Sequence, residues 1–141
     1  MTNDEYARLS NLPKKLTKTH LQCAAEGSEE SFNGYATFDS TQKFRVIQNR
    51  CGHKSKILTY VLIHNPSKIM LRVDLQGKPH NGLPTPHVHI YDDDHDNGSL
   101  AIPLADIPDY NATNDIINSL IEFLKYNKFD LNSLQVSEQL V

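Results

Sequence analysis

Residues 56–75 read KILTYVLIH-NPS-KIMLRVDL, and this stretch decides the fold class. Its first part, residues 56–64, is apolar on both faces of an extended chain, which is typical of a strand inside a covered sheet. Its second part, residues 68–75, alternates aliphatic residues with Lys, Met, Arg and Asp, the period of a strand with one buried face. The short link between them favours antiparallel pairing, because parallel neighbours need a long crossover.

Shorter patterns on both sides of this pair predict further strands. Gly34 lies inside one of them, which indicates a bulge or the close approach of another backbone. Turns are predicted at residues 39–41 and 52–55, where small and polar residues cluster. The further predicted strands span residues 21–25, 31–38, 43–50, 87–91 and 100–102.

Two helices complete the prediction. Thr2 or Asn3 caps a short N-terminal helix that ends before Pro13. The second helix spans residues 113–127, where apolar side chains recur at helical spacing and form a wide stripe. We therefore predict an α+β fold in one domain over residues 1–141. It is an antiparallel sheet of about five or six strands, with the C-terminal amphipathic helix packed on one face and a short N-terminal helix.

The cap of the second helix is predicted at Thr113 or Asn114, with Asp115 in the first turn. Asn127 is predicted to take the left-handed position at its C-terminal end. Residues 131–136 are predicted to form a final turn that docks back on the domain.

The composition is that of an ordinary globular protein, with 38% hydrophobic and 22% charged residues among 141. The net charge of −3 argues against non-specific nucleic-acid binding. Lys14, Lys15 and Lys18 are expected in a solvated connection rather than in a basic binding patch. Neither a bilayer-spanning apolar run nor a signal peptide is visible, so we expect a cytoplasmic protein that does not bind membranes.

The two cysteines, Cys23 and Cys51, lie far apart in the sequence. In a reducing compartment we expect two separate, buried thiols rather than a disulfide. Neither cysteine has a partner at the spacing that cysteine zinc sites use, so no such site is predicted.

Residues 84–96 read PTPHVHIYDDDHD and are the chemically richest part of the chain. If residues 87–91 form a strand, His87, His89 and Tyr91 share one face and Val88 and Ile90 share the other. The two aliphatic side chains then belong to a core, and the two imidazoles face a groove or solvent. The acidic run that follows does not match an EF-hand loop and is expected to be a solvated turn.

Two histidines at positions i and i+2 of a strand can reach one metal ion. Zinc takes three or four ligands, and His95, Asp93, His80, Asp94 or Asp96 could join His87 and His89 from the flanking loops. Zinc or another divalent metal is therefore one hypothesis, with magnesium or manganese favoured if oxygen ligands dominate. The alternative is that the imidazoles are ordinary exposed or hydrogen-bonded strand residues.

The same histidines support a catalytic hypothesis. His87 and His89 can act as base and acid in the cleavage of RNA or another phosphodiester, because histidine titrates near neutral pH. His80 or Tyr91 would assist them. The likeness to histidine-triad nucleotide hydrolases is superficial, because Tyr91 stands at the third alternating position.

The chain resembles a family of small uncharacterised proteins from low-GC Gram-positive bacteria and their phages and mobile elements. The HxHIY segment at residues 87–91 is the most specific match, and the acidic run after Tyr91 departs from the Gly-containing turn usual in the family. The other matching segments are Leu12-Pro13-Lys14, Leu71-Arg72-Val73-Asp74, Lys78-Pro79-His80-Asn81-Gly82, Ala101-Ile102-Pro103, and Phe123-Leu124 with Asn127.

The resemblance implies a setting in mobile elements, where accessory proteins are often toxins, antitoxins or antagonists of host defence. Our leading expectation is therefore a small binding protein that acts on a partner macromolecule, with a protein partner favoured over nucleic acid. The alternatives are a phosphodiesterase or ribonuclease that uses His87 and His89, and a nucleotide or small-signal binder. The oligomeric state is left open.

Overall fold

The computed structural model describes residues 1–52 and 56–139, so most of the turn predicted at residues 52–55 lies outside the described residues. Helix α1 spans Asn3–Ser10 and helix α2 spans Ile116–Tyr126, and short 3-10 helices span Asp93–Gly98 and Leu104–Asp106. The strands are β1 (Lys14–Leu16), β2 (His20–Gln22), β3 (Glu29–Ala36), β4 (Asp39–Asn49), β5 (Leu58–His64), β6 (Lys68–Gln76), β7 (His87–Ile90), β8 (Ala101–Pro103) and β9 (Gln135–Ser137).

Seven strands form one sheet in the order β1-β3-β4-β5-β6-β7-β8, and every neighbouring pair is antiparallel. The predicted α+β class is confirmed, but the predicted number of strands is too small. Strand β5 lies in the middle of the sheet, as its two apolar faces predicted. Thr59 and Ile63 are buried on one of its faces, and Tyr60 and Leu62 on the other.

Strands β2 and β9 form a separate parallel pair, with Leu21 opposite Val136. The prediction placed a strand at residues 21–25, which overlaps β2, and a docking turn at residues 131–136, where the structure has the start of β9, so it missed the second strand and the pairing. Each of these strands is three residues long. A segment that short carries too few residues for its periodicity to show a partner.

The hairpin between β3 and β4 turns at Thr37 and Phe38. The turn predicted at residues 39–41 is therefore wrong, since β4 already begins at Asp39. The outer end of this long hairpin is exposed and polar, and its composition is that of a turn.

Gly34 lies where β1 crosses close to β3. A Cβ atom at this position would lie 2.6 Å from the carbonyl oxygen of Lys15 and 2.8 Å from the Phe129 ring. The close backbone approach predicted from this glycine is confirmed, whereas the irregular register falls one residue later, between Tyr35 and Ala36.

We expect Gly34→Ala to lower the free energy of unfolding by about 2–4 kcal/mol, because the Lys15 carbonyl cannot move without breaking the β1–β3 ladder. Urea unfolding measures this loss. Asn33→Ala is the comparison variant, since Asn33 is exposed on the same strand. Equal stability of Gly34→Ala and the wild type would contradict the assigned contact.

Both helices have side-chain caps at their N-terminal ends. Thr2 caps α1 as predicted, and its hydroxyl accepts from the Glu5 N–H at 3.1 Å. The cap predicted for α2 at Thr113 or Asn114 is wrong, because the Asp115 carboxylate accepts from the Asn118 N–H at 2.9 Å.

The C-terminal end of α2 also differs from the prediction. Asn127 has a φ of −87°, outside the left-handed region, and the next residue, Lys128, takes the left-handed conformation with φ of 65°. Helix α2 contacts β5 through Tyr60, whose ring stacks on Phe123 with centroids 5.2 Å apart. The Tyr60 hydroxyl lies 2.6 Å from Ser119 Oγ.

Lys14 is fully buried, which corrects its predicted place in a solvated connection. Its ammonium donates to the carbonyl oxygens of Leu12 and Asn127, both at 2.9 Å, and of Ser10 at 3.3 Å. These carbonyls lie at or just beyond the C-terminal ends of α1 and α2, where a positive charge is favoured. Burial nevertheless lowers the pKa of Lys14 to about 8.

Burial and helix length bear on two further expectations. Cys23 is buried and Cys51 is exposed, and both thiols are free, so the prediction of two buried thiols is wrong for Cys51. Within the described residues, neither helix has the length and the apolar character needed to cross a membrane.

Candidate metal centre

The candidate site is built where β5, β6 and β7 lie side by side. The register pairs Asp74 with Thr59 on one side and with His87 on the other, and it pairs Arg72 with His89. The alternation of β6 points its Leu and Val residues into the core. It therefore presents Arg72 and Asp74 on the opposite face, together with the two imidazoles of β7.

Three ligand-type side chains converge on this face. Asp74 Oδ2 lies 2.8 Å from His87 Nε2 and 3.4 Å from His89 Nε2. One nitrogen or oxygen atom from each of Asp74, His87 and His89 lies within 4.8 Å of the others, and all three residues are buried. This group is called the HHD cluster below.

The outer nitrogens of both imidazoles contact backbone carbonyls. His89 Nδ1 lies 2.8 Å from the Gly98 oxygen, and His87 Nδ1 lies 3.3 Å from the Pro84 oxygen. A carbonyl oxygen only accepts hydrogen bonds, so the short contact with Gly98 assigns an N–H to His89 Nδ1, and in a neutral ring His89 Nε2 then carries the lone pair that faces Asp74. A carboxylate also only accepts, so the 2.8 Å contact of His87 Nε2 with Asp74 Oδ2 places the N–H of a neutral His87 on Nε2. Histidines that bind metal ions usually have the arrangement of His89, and His87 would reach it by carrying its N–H on Nδ1, which faces the Pro84 oxygen.

Asp74 is held as a carboxylate. Burial would raise its pKa, but a hydrogen bond from Thr59 at 2.7 Å and the charge and hydrogen bond of Arg72 outweigh burial, so the pKa lies below its usual value. Burial lowers the pKa of His89, although its hydrogen bond to Gly98 acts in the opposite sense. At neutral pH, a carboxylate oxygen and the lone pair of His89 Nε2 therefore face each other across 3.4 Å.

The HHD cluster opens into a cavity of about 770 Å³. The side chain of Arg72 is 48% exposed, and only its Nε atom is engaged by Asp74. The cavity is also lined by Cys51, Lys78, His80 and Tyr91.

Of the predicted site residues, the structure brings His87 and His89 together, and Tyr91 and His80 line the same cavity. The groove predicted for the imidazoles is present, although they are only 1% and 6% exposed. The His80 ring lies 4.9 Å from the His89 ring and 6.3 Å from the His87 ring, measured between centroids. Its Nε2 atom lies 3.2 Å from the Ser99 oxygen.

The structure does not bring His95 and Asp93 to the HHD cluster. His95 Nδ1 lies 2.6 Å from Asp92 Oδ1, within the 3-10 turn that follows β7. Asp93 is exposed on the same turn. The conformation of this turn directs its carboxylates away from the imidazoles and brings only the Gly98 carbonyl to His89.

Asp74, Thr59 and Arg72 were not predicted as site residues. A signal for Asp74 was present, because it is a carboxylate on the polar face of the clearest alternating strand. The missing information was the pairing of β6 with β7, which sets Asp74 opposite His87. Residues 77–86 join these strands, and a loop of that length does not fix a register.

The comparison with protein families gives one match, to DUF6978, which is described as a family of unknown function. The match extends over residues 1–129 and so includes the HHD cluster and both helices. Searches of curated proteins and of solved structures give no match. Because the match covers most of the chain, the protein belongs to the DUF6978 family.

Proposed function

We propose that this protein is a metal-dependent phosphodiester hydrolase whose ion is bound by Asp74, His87 and His89. The observation that carries the proposal is the convergence of three buried ligand-type side chains, whose donor atoms lie within 4.8 Å of one another. A buried carboxylate oxygen faces the lone pair of His89 at 3.4 Å, and the Nδ1 hydrogen bond prevents that ring from turning its N–H inward. A cation between these atoms would replace repulsion by coordination.

The donor set favours zinc or a similar transition ion over magnesium, because two of its three atoms are imidazole nitrogens. Two ligands about 2.05 Å from a tetrahedral zinc ion lie roughly 3.3 Å apart. The distance from His89 Nε2 to Asp74 Oδ2 is close to this value, at 3.4 Å. The distance from His87 Nε2 to the same oxygen is shorter, at 2.8 Å. A small rotation of the His87 ring would complete the site.

The charges around the cavity favour a phosphate substrate. Arg72 uses Nε to hold Asp74, and its side chain is 48% exposed, so within the described residues the remainder of its guanidinium can meet an anion. Lys78 lines the same cavity. Two cations beside a metal centre match the phosphoryl oxygens of a diester, which carries one negative charge.

An ion at this site supplies Lewis acidity and lowers the pKa of a water molecule to near neutrality. In the hydrolysis we propose, the water oxygen bonds to phosphorus, and the bond from phosphorus to the leaving oxygen breaks. Arg72 stabilises the charge that develops on the phosphoryl oxygens. His80 is half-buried at the rim of the cavity, and we assign it the transfer of a proton to the leaving oxygen.

The expected protein partner stays a prediction, and so does the setting in phages and mobile elements. Substitutions can distinguish a protein that binds a partner from a hydrolase. A partner-binding protein would depend on exposed surface residues, whereas the proposed hydrolase depends on the buried residues of the HHD cluster.

Tag-free protein tests the proposal directly. Elemental analysis is expected to give about one transition-metal ion per chain. Bis(4-nitrophenyl) phosphate is expected to be cleaved, with activity lost on chelation and restored by added zinc or manganese. Absence of hydrolysis with every divalent ion tested would overturn the proposal, and so would a calorimetric titration that shows no zinc binding.

A further inference from the structure

One face of the sheet carries a row of basic side chains that leads to the HHD cluster. The alternation of the strands places Lys15, Lys43, Arg45 and Arg72 on the face opposite the core, on strands β1, β4 and β6. All four residues are exposed. We call this set the basic track.

The register gives the order of the side chains along the track, in which β5 contributes only Ile63 and Val61 between Arg45 and Arg72. Tyr35 on β3 lies between Lys15 and Lys43, and the Lys43 ammonium lies 5.8 Å from the centre of the Tyr35 ring. Arg45 follows on the same strand as Lys43. Arg72 is the cross-strand neighbour of His89 and ends the track at the cluster.

The net charge of −3 does not reveal that basic and acidic side chains lie on different parts of the surface. Among the residues that the described cross-strand pairs place on this face, the carboxylates are Glu29 and Asp74, and Asp74 belongs to the cluster. The exposed acidic residues Asp93, Asp94 and Asp96 lie on the turn that follows β7. A polyanion would therefore reach the cluster along the basic track and not across the acidic turn.

The dimensions of the track suit an extended chain of phosphates. Four strand spacings separate β1 from β6 in the sheet, which amounts to roughly 19 Å. The surface between the basic residues is partly aromatic and aliphatic, with Tyr35, Ile47 and Val61 half-buried on it. Surfaces that bind single strands combine cationic side chains with aromatic rings on which bases stack, and Tyr35 is such a ring here.

We propose that the basic track binds a single-stranded nucleic acid and places one of its phosphodiester groups at the HHD cluster. This inference rests on the proposed function, because it names the substrate class of the same site. A single strand is favoured over a duplex because the cluster is recessed in a cavity, with its imidazoles at most 6% exposed. A flexible strand can bend a phosphate into that cavity, whereas paired bases hold both backbones on a stiff surface.

Binding is tested without cleavage, in the presence of chelator, by the fluorescence anisotropy of labelled RNA and DNA single strands of about 12 nucleotides. The test variant is Lys15→Ala/Lys43→Ala/Arg45→Ala. The matched control is Arg8→Ala/Lys125→Ala/Lys128→Ala, which removes the same charge from exposed residues in or beside the helices. Strands of RNA and DNA are compared to learn which sugar is preferred.

We expect the test variant to bind about tenfold or more weakly than the wild type, and the control to stay within about twofold. The plot of log affinity against log salt should become shallower by roughly 2, since each phosphate contact on a single strand contributes about 0.7. Equal binding of single strands by the test variant and the control would overturn the inference, and so would tighter binding of a duplex.

A second measurement separates this inference from the proposed function. Hydrolysis of bis(4-nitrophenyl) phosphate is expected to be unchanged in the test variant, because the substrate is too small to reach Lys15, Lys43 or Arg45. If the test variant hydrolyses the small diester normally and also cleaves the long strand normally, the proposed role of the basic track is wrong and the proposed hydrolase function is supported. If the protein cleaves no diester but the affinity for single strands falls in the test variant alone, the basic track is supported as a binding surface and the proposed hydrolase function is wrong.

Discussion

Asp74→Asn is expected to abolish metal binding and to lower diester hydrolysis by about 1000-fold or more, while the protein stays folded. The amide has nearly the same shape as the carboxylate, and its oxygen can still accept from Thr59 and Arg72. Its NH₂ group would then face the Nε2 atoms of both histidines, donating to that of His89 and meeting the N–H of His87. The gain of one hydrogen bond offsets the loss of the other, so the melting temperature of the metal-free protein should change little.

Elemental analysis and a diesterase assay measure the two effects, and His95→Ala is the control. His95 bonds to Asp92 outside the cluster, so this variant should keep its metal and at least about half of its activity. The activity of Thr59→Ala is expected to lie between those of Asp74→Asn and His95→Ala. We expect it to lose diesterase activity by about 10–100-fold, because the substitution removes the hydroxyl that orients Asp74. Full activity of Asp74→Asn would show that the HHD cluster is not the active centre.

Lys14→Met is expected to lower the free energy of unfolding by about 2–4 kcal/mol at pH 7. Methionine fills a similar volume, but the carbonyl oxygens of Ser10, Leu12 and Asn127 lose their common donor. Relief of the buried charge offsets part of this loss. For a chain of this length, the melting temperature should fall by about 6–12 °C. Lys15→Met is the control, since Lys15 is exposed on the same strand.

The pH dependence of the free energy of unfolding gives an independent test of the role of Lys14. Its pKa in the folded protein, about 8, lies below the ordinary value of 10.5, so the unfolded chain binds more protons between these values. The contribution of Lys14 to the free energy of unfolding therefore increases as the pH rises through 8, by up to about 1.4 kcal/mol per pH unit. The stability advantage of the wild type over Lys14→Met should thus grow between pH 8 and pH 9. An advantage that shrinks over this interval would contradict the assigned shift.

Sequence periodicity was sufficient for the parts of the fold whose side chains alternate over many residues. Strands β5 and β6 were predicted because their patterns extend over seven and nine residues. Strand β1 was missed because one of its two buried residues is a lysine, which hydrophobic periodicity counts as exposed. Lys14 is buried because two helix ends and β1 meet around it, and that meeting is a tertiary event which no local pattern encodes.

The candidate site divides in the same way. His87 and His89 were found because one strand carries both, at a spacing that directs them to one face. Asp74 lies thirteen positions before His87, and only the pairing of β6 with β7 brings it within 2.8 Å. His95 and Asp93 follow closely in sequence, but the 3-10 turn directs them elsewhere. Proximity along the chain was therefore a poor guide to ligands that neighbouring strands supply.

The parallel pair of β2 and β9 has a practical consequence for where this chain can be shortened. Strand β9 spans Gln135–Ser137, beyond residue 129, where the similarity to the family ends. Removal of that tail would leave the backbone groups of β2 without their partner and would uncover Leu21, which is 3% exposed in the intact chain. An open strand edge beside newly exposed leucine promotes self-association. A fragment trimmed to the family boundary should thus be less soluble than the full chain, although it keeps every residue of the HHD cluster.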